Sequence, residues 1–385
     1  MARQTGVASL SPAPRIADLR AYVLRAPVAV PVQTSFGAMT DRPMVLVRIE
    51  DNEGAVGWGE VWCNFPACGA EHRARLLATV FRALLHGHPA EPAATFAALS
   101  ARTRILALQS GEPGPFAQCI AGIDIALWDL AARRRGCALW QLLDAPGSEI
   151  AVYASGLNPD RPEALAAAKH AEGYRAFKLK VGFGLERDCA NLRALRDLLG
   201  ADARIMVDAN QAWDLETAVC HARAYASFGL AWLEEPIAAD SPWEAWRALR
   251  GRIDTPLAAG ENLLGHAQFE QALGASVLAV IQPDVAKWGG VTGCLAVARQ
   301  AHAAGTVYCP HFLGGGVGLV ASAHLLAAVG GEGMLEVDSN DNPLRTLLMG
   351  PLAMPRSGRV ALSSNPGLGI APDLRALHDY VVLEA

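Results

Sequence analysis

Ala176-Phe177-Lys178-Leu179-Lys180-Val181 and Arg204-Ile205-Met206-Val207-Asp208 are short apolar runs that each deliver charge at their C-terminal end. The construction returns at Ala231–Leu233 before Glu234-Glu235-Pro236, and at Pro256–Ala259 before Gly260-Glu261-Asn262. It returns again at Val277–Gln282 before Pro283-Asp284, at Thr306–Cys309 before Pro310-His311, and at Met334–Glu336. One further run, Ala151–Ser155, precedes them all. Between the runs lie helix-like stretches such as Pro162–Glu172, Leu185–Leu199, Leu215–Phe228 and Val291–Ala304. Eight apolar runs alternating with amphipathic segments predict strand–helix units closed into a (β/α)₈ barrel rather than an open doubly wound sheet. No G-x-G-x-x-G follows the first run, so the dinucleotide-binding reading is weak.

Upstream of the barrel the pattern changes. Arg20–Val32, Met44–Glu50 and Ala55–Glu60 read as strands, with turn chemistry at Asp51-Asn52-Glu53-Gly54. The polar, Pro/Gly-marked segment Val28–Arg42 reads as a mobile loop joining the first two. Ala70–Leu143 is helical in pattern, including Ile120–Arg133 with its three- and four-residue apolar spacing. The expected organisation is an α+β capping domain over 1–145, a barrel over 146–350, and a C-terminal segment, 351–385, that returns to the cap.

Composition excludes several classes. The 385 residues are 52% hydrophobic and 18% charged, ample for a large core. A net charge of −5 gives no basic footprint for nucleic acid and no polybasic tract for a membrane surface. No run of 18 apolar residues is present, which predicts no spanning helix. Residues 1–14 lack a sustained apolar core and read as a loose leader, not a signal peptide. Eight scattered cysteines without a C-x-x-C pair predict reduced thiols and a cytoplasmic setting.

In a barrel of this kind the chemistry sits at the C-terminal strand ends. A lone carboxylate there is ordinarily a helix N-cap or a solvated loop residue, but seven consecutive charged strand ends converge on one mouth. Asp208, Glu234 and Glu261 lie on neighbouring strands, 26 and 27 residues apart. Three carboxylates with positions left for water or substrate suit a hard cation such as Mg²⁺, whereas zinc would want more than the single nearby His311. The plainer alternative is a set of salt bridges to Lys178, Lys180 and Lys287. Lys178 and Lys180 alternate by two and face the same side, where mutual repulsion and desolvation would lower an amine toward a base. Asp284 and His311 end adjacent strands, an arrangement in which a carboxylate fixes the imidazole tautomer.

These residues resemble those of the mandelate racemase subgroup of the enolase superfamily. The likeness is carried by Gly57-Trp-Gly-Glu60, Gly122-Ile-Asp-Ile-Ala-Leu-Trp-Asp129, Lys178-x-Lys180, Asp208-Ala-Asn210, Glu234-Glu-Pro236 and Gly260-Glu261. Gln282-Pro-Asp284, Gly289-Gly290, Pro310-His311 and Pro366-Gly-Leu-Gly369 complete it. The resemblance implies a modified TIM barrel, (β/α)₇β, with an α+β cap. It implies Asp208, Glu234 and Glu261 as Mg²⁺ ligands. Lys180 would be the base on one face of a carboxylate substrate's α-carbon, and His311 with Asp284 the acid/base on the other. Lys178 would hold the substrate carboxylate and depress Lys180, a protonated Glu336 would hydrogen-bond the oxygen that gains charge, and Asn210 would be a further contact. Relatives with a sixth-strand lysine carry it where this chain has Asp284, and Lys287 is not its equivalent. A homo-oligomer, from dimer to octamer, is implied as well.

The reaction expected is acid-sugar dehydration, since His–Asp members mostly dehydrate such acids. Lactone cycloisomerisation comes second, because Lys180-Val-Gly-Phe-Gly-Leu-Glu186 and Asn342-Pro343 with Arg345 resemble galactarolactone cycloisomerases; racemisation of a 2-hydroxy acid is third. Gln33, Thr34, Ser35 and Asn64 are expected lid residues suited to hydroxyls, and Trp62 and Phe65 to an apolar group or to packing. Two readings of another class are a phosphate cradle at Gly314-Gly315-Gly316 and a barrel kept as a non-catalytic scaffold.

Overall fold

The computed structural model describes residues 14–34 and 37–385; the leader reading and Ser35 fall outside them. Three strands open the chain: β1 (Ile16–Thr34), β2 (Gly37–Asp51) and β3 (Val56–Val61). They form an antiparallel sheet in the order β13-β1-β2-β3, where β13 (Val381–Glu384) comes from the C-terminus. The helices Pro92–Ser110 and Pro113–Arg134 follow. Glycines let the second of these lie directly on β3. A Cβ at Gly57 would sit 2.1 Å from the Ala126 carbonyl oxygen, and one at Gly59 2.0 Å from that of Gly122. Asp129 on the same helix accepts the Trp58 N–H of β3 (2.9 Å) and the Leu368 N–H of the C-terminal segment (2.7 Å).

The segment predicted as a loop is instead the far end of a hairpin. Val32 pairs with Met39, Gln33 with Ala38 and Thr34 with Gly37, beyond an irregularity between Pro27 and Val32. Cross-strand pairing satisfies the backbone groups here, and Val32 and Met39 are buried, so polar composition did not mark an unpaired segment.

The barrel strands are β4 (Glu149–Leu157), β5 (Ala176–Lys180), β6 (Arg204–Asp208), β7 (Leu233–Glu234), β8 (Leu257–Ala259), β9 (Leu278–Ile281), β10 (Val307–Tyr308) and β11 (Met334–Asp338). All pair in parallel, in the order β10-β9-β8-β7-β6-β5-β4-β11. The Met334 N–H reaching Cys309 Sγ at 3.4 Å bridges the two ends of the ladder. Helices follow β4 through β10, but β11 is followed only by the short helix Pro343–Thr346 and a 3₁₀ turn, Gly350–Ala353. The architecture is therefore a (β/α)₇β barrel, not the strict eightfold one that strand counting suggested. β12 (Arg359–Ala361) adds antiparallel to β4 before the chain returns to β1 as β13. Tyr153, Ala176, Met206, Trp232, Ala258, Val280, Cys309 and Met334 form a buried apolar cluster inside the barrel, one residue from each strand or its flank.

By length and composition Pro113–Arg134 could cross a membrane, a point that apolar run-counting missed. However, 78% of its most apolar window is buried against the cap sheet and barrel, as in a core helix. All eight cysteines are free thiols.

Candidate active site

Parallel register sets the mouth. Lys180 on β5 lies opposite Asp208 on β6, and Asp208 opposite Glu234 on β7. Lys178 Nζ, with a side chain 1% exposed, lies 2.6 Å from Glu234 Oε1 and 2.8 Å from Glu336 Oε1. Lys180 Nζ contacts Asp208 Oδ2 at 2.5 Å and Asn210 Oδ1 at 2.8 Å. Glu234 Oε2 accepts from Gln282 Nε2 (2.7 Å) and Trp232 Nε1 (3.2 Å). Asn210, Gln211 and Glu235, just past β6 and β7, hold left-handed backbone conformations with φ of 45°, 64° and 37°. Such strain in non-glycine residues clusters at functional sites.

On the other side of the mouth, His311 Nδ1 is 2.8 Å from Asp284 Oδ2, and the two residues form a parallel β-bridge. The Ala286 and Lys287 N–H groups donate to Asp284 Oδ1, fixing the carboxylate from behind. His311 Nε2 meets Glu261 Oε2. Glu336 accepts from Ser155 Oγ and from the Phe312 N–H at 3.2 Å.

The electrostatics correct two expectations. Burial pulls the Lys180 ammonium down and Lys178 adds to that, but the facing Asp208, with Glu234 behind it, outweighs both and holds Lys180 above its ordinary value. The register across β5 and β6, which reading β5 alone does not supply, decides the direction. Glu336 was expected protonated; burial favours that, but Lys178 and His311 hold the carboxylate below its usual range, so it is ionised. Burial likewise opposes an imidazolium at His311, and Glu261 with Glu336 raises it well above its ordinary value. Glu234 is pushed up to about 7 by burial despite Lys178.

Among the described residues no three His, Cys, Asp or Glu side chains are already drawn around a common point. Asp208 and Glu234 are salt-bridged to the lysines, as the plainer reading held, and Glu261 is paired with His311. Those pairs leave the mouth acidic. Six carboxylates (Asp208, Glu234, Glu235, Glu261, Asp284 and Glu336) are buried or nearly so around three lysines and His311. Hard oxygen donors in negative surplus on adjacent strands fit a divalent cation such as Mg²⁺.

A cavity of about 230 Å³ opens over this cluster. Lys180, Asn210, Glu261 and His311 line it from the barrel, and Trp62, Asn64 and Phe65 from the cap. Gln33 does not line it; its N–H lies 3.4 Å from Asn158 Oδ1 on the hairpin side. Thr34 belongs to β1, and its side chain is outside the described set.

Two residues were missed as part of the site. Lys287 lines the cavity, although the sequence offered it only as a salt-bridge partner. Glu60, quoted only within a motif, is the second. Its carboxylate accepts the N–H groups of Gly315 (2.5 Å) and Gly318 (2.8 Å), at the start of the helix Gly316–Val329. A Cβ at Gly314 would sit 2.7 Å from Glu60 Oε1, and one at Gly315 2.5 Å from Met44 Sδ. The glycines make room for the cap's own carboxylate, which overturns the phosphate-cradle reading.

Residues 18–144 match the mandelate racemase / muconate lactonizing enzyme N-terminal domain, and residues 161–376 the enolase C-terminal domain-like family. The chain is 31% identical over 382 residues to a D-galactarolactone cycloisomerase of Agrobacterium fabrum, covering 95% of this chain and 98% of that one. A crystal structure of a mandelate racemase/muconate lactonizing enzyme from Bordetella bronchiseptica superimposes with a TM-score of 0.91 at 57% identity, covering 95% and 99% of the two chains. An L-talarate/galactarate dehydratase variant liganded with Mg and L-glucarate superimposes with a TM-score of 0.85 at 26% identity, covering 100% of this chain and 96% of that one.

Proposed function

Because the chain belongs to the mandelate racemase / muconate lactonizing enzyme family of the enolase superfamily, we propose that it is a Mg²⁺-dependent sugar-acid dehydratase that removes an α-proton and expels the β-hydroxyl as water. The observation that carries this reading is the pair of proton-carrying side chains, Lys180 and His311, on one small cavity, with Asp284 behind the imidazole. Enolase-superfamily sites use a Lys or His base with Mg²⁺. Asp208, Glu234 and Glu261 are the residues that would hold the cation, which when bound supplies positive charge beside the substrate carboxylate.

The side chains divide the remaining work. Lys178 holds a carboxylate oxygen of the substrate, and Asn210 hydrogen-bonds beside it. Lys180 takes the α-proton at Nζ as the neutral amine, so its ammonium must first leave Asp208 and give up a proton to solvent. His311 Nε2 gives a proton to the departing β-hydroxyl, so that a C–O bond breaks and water leaves. The remaining enol tautomerises to a 2-keto-3-deoxy acid. Asp284 holds the imidazole in orientation throughout, and Glu336, ionised, fixes Lys178 by charge rather than by donating a proton.

Proton NMR in D₂O with Mg²⁺ over sugar acids and their lactones tests this. Loss of the α-proton signal with a 2-keto-3-deoxy product is expected. Exchange with inversion and no elimination would replace dehydration with racemisation, and no exchange with any acid while metal binds would leave a scaffold. Lactone cycloisomerisation is the second reading, favoured by the similarity that spans nearly the whole of the Agrobacterium enzyme. A ring-opened or ring-shifted acid formed from a lactone in the same spectra would establish it instead.

A further inference from the structure

Lys287 follows Asp284 by three residues, in the turn that leads to the helix Gly290–Ala303. Its N–H is pinned to Asp284 Oδ1, and its ammonium lines the same cavity as Lys180 and His311. The residue is 8% exposed. Its Nζ makes one hydrogen bond, to the neutral amide oxygen of Asn262 at 2.8 Å, and lies 4.8 Å above the Trp62 ring. The nearest carboxylate oxygen in an ion pair, Glu261 Oε1, is 3.8 Å away, and that carboxylate is shared with His311.

The other two mouth lysines differ. Lys178 has carboxylate oxygens at 2.6 and 2.8 Å, and Lys180 has one at 2.5 Å. An ammonium carries three donors, and taking one out of water is costly unless anions and hydrogen bonds replace the water. One amide and an aromatic face replace it in part only. Of the cations lining the cavity, Lys180 is already paired with Asp208 and His311 with Asp284 and Glu261, so Lys287 is the one least committed to an anion. Its volume, about 230 Å³, falls below the roughly 300–1,000 Å³ of pockets for drug-sized ligands, so the occupant is small.

We infer that Lys287, flanked by Trp62 and Asn262, is a subsite for a second carboxylate, and that the substrate class is a sugar dicarboxylic acid rather than a monoacid. This rests on the proposed reading of the site, in which the first carboxylate lies at Lys178. Lys287 is a specificity-determining contact here, remote from the proton that is removed.

The test compares wild type, Lys287→Met and Lys287→Arg. Each is titrated calorimetrically, with Mg²⁺ present, against the six-carbon aldarates and the matching aldonates, and the same ligands are followed for α-proton exchange. Wild type is expected to bind one aldarate at least roughly tenfold more tightly than its aldonate. Lys287→Met is expected to lose that preference through the aldarate alone, and Lys287→Arg to keep part of it. Equal binding of diacid and monoacid by wild type overturns the inference, and this arm stands even if the Met variant does not fold. Equal weakening of both ligands in Lys287→Met overturns it too, making Lys287 a counter-charge for Glu261. Preference without exchange would keep the subsite and defeat the dehydratase reading; exchange without preference would do the reverse.

Discussion

Two of the regions that hold buried carboxylates satisfy them in opposite ways. At the barrel mouth Asp208, Glu234 and Glu336 are held by ammonium groups, and Glu261 by an imidazole. In the cap–barrel seam Glu60 and Asp124 are held by fixed donors at helix starts: the Gly315 and Gly318 N–H groups for Glu60, and the hydroxyl and N–H of Thr292 for Asp124. A helix N-terminus is a fixed partner whose positive end does not leave with a proton. A lysine or histidine partner can release its carboxylate, move, and exchange a proton. The helix-start arrangement holds two parts of the fold together; the lysine and histidine arrangement is able to exchange protons.

The comparison breaks most sharply at His311. Replacing it with Asn removes the proton carrier while keeping a polar side chain, so the proposed dehydration should fall by roughly 10²–10⁴-fold. Calorimetric Mg²⁺ binding should survive; turnover at the wild-type rate would take His311 out of the mechanism. Glu261→Ala should do the converse, weakening Mg²⁺ by more than the roughly 10–100-fold that loss of an outer-shell partner causes. An unchanged metal titration would remove Glu261 from the ligand set.

How much of this was written in the chain depends on the distance between partners. The strand ends were legible because each charged residue closes its own apolar run, and alternation puts Lys178 and Lys180 on one face. Glu60 was not, because its partners are backbone groups 255 and 258 residues downstream, in a stretch whose glycines advertise only a tight turn. The hairpin beyond Pro27 was hidden for a related reason: its order comes from cross-strand pairing and two buried anchors, Val32 and Met39, while its composition reads as loop. The direction of the Lys180 shift needed the register between β5 and β6. The short turn in place of an eighth helix needed the family resemblance, since apolar spacing after Pro351 degrades without saying what replaces it.

The smallest effect sharpens the comparison through pH. Burial, opposed by backbone N–H groups at Glu60 and by the Thr292 hydroxyl and backbone N–H groups at Asp124, pushes both up to about 7 in the folded protein, against ordinary values of 4.5 and 3.8. Between those limits the folded state binds protons that the unfolded chain has released, so these two groups stabilise fully below about pH 4 and lose that contribution as pH rises through 7. At the mouth, Asp208 and Glu336 are held below their ordinary range and act in the opposite sense, losing stability as pH falls, whereas burial raises Glu234 and Glu235 as it does the seam pair. Glu60→Gln removes one titration and keeps the shape. Its amide oxygen can accept one of the two glycine N–H groups, leaving the other short of a partner at a cost of about 1–3 kcal/mol. Denaturant unfolding should therefore show the variant less stable than wild type at pH 5, with the gap narrowing toward pH 8, and with Mg²⁺ affinity little changed. A gap that widens with pH would mean that Glu60 is ionised throughout and behaves like Asp208 and Glu336.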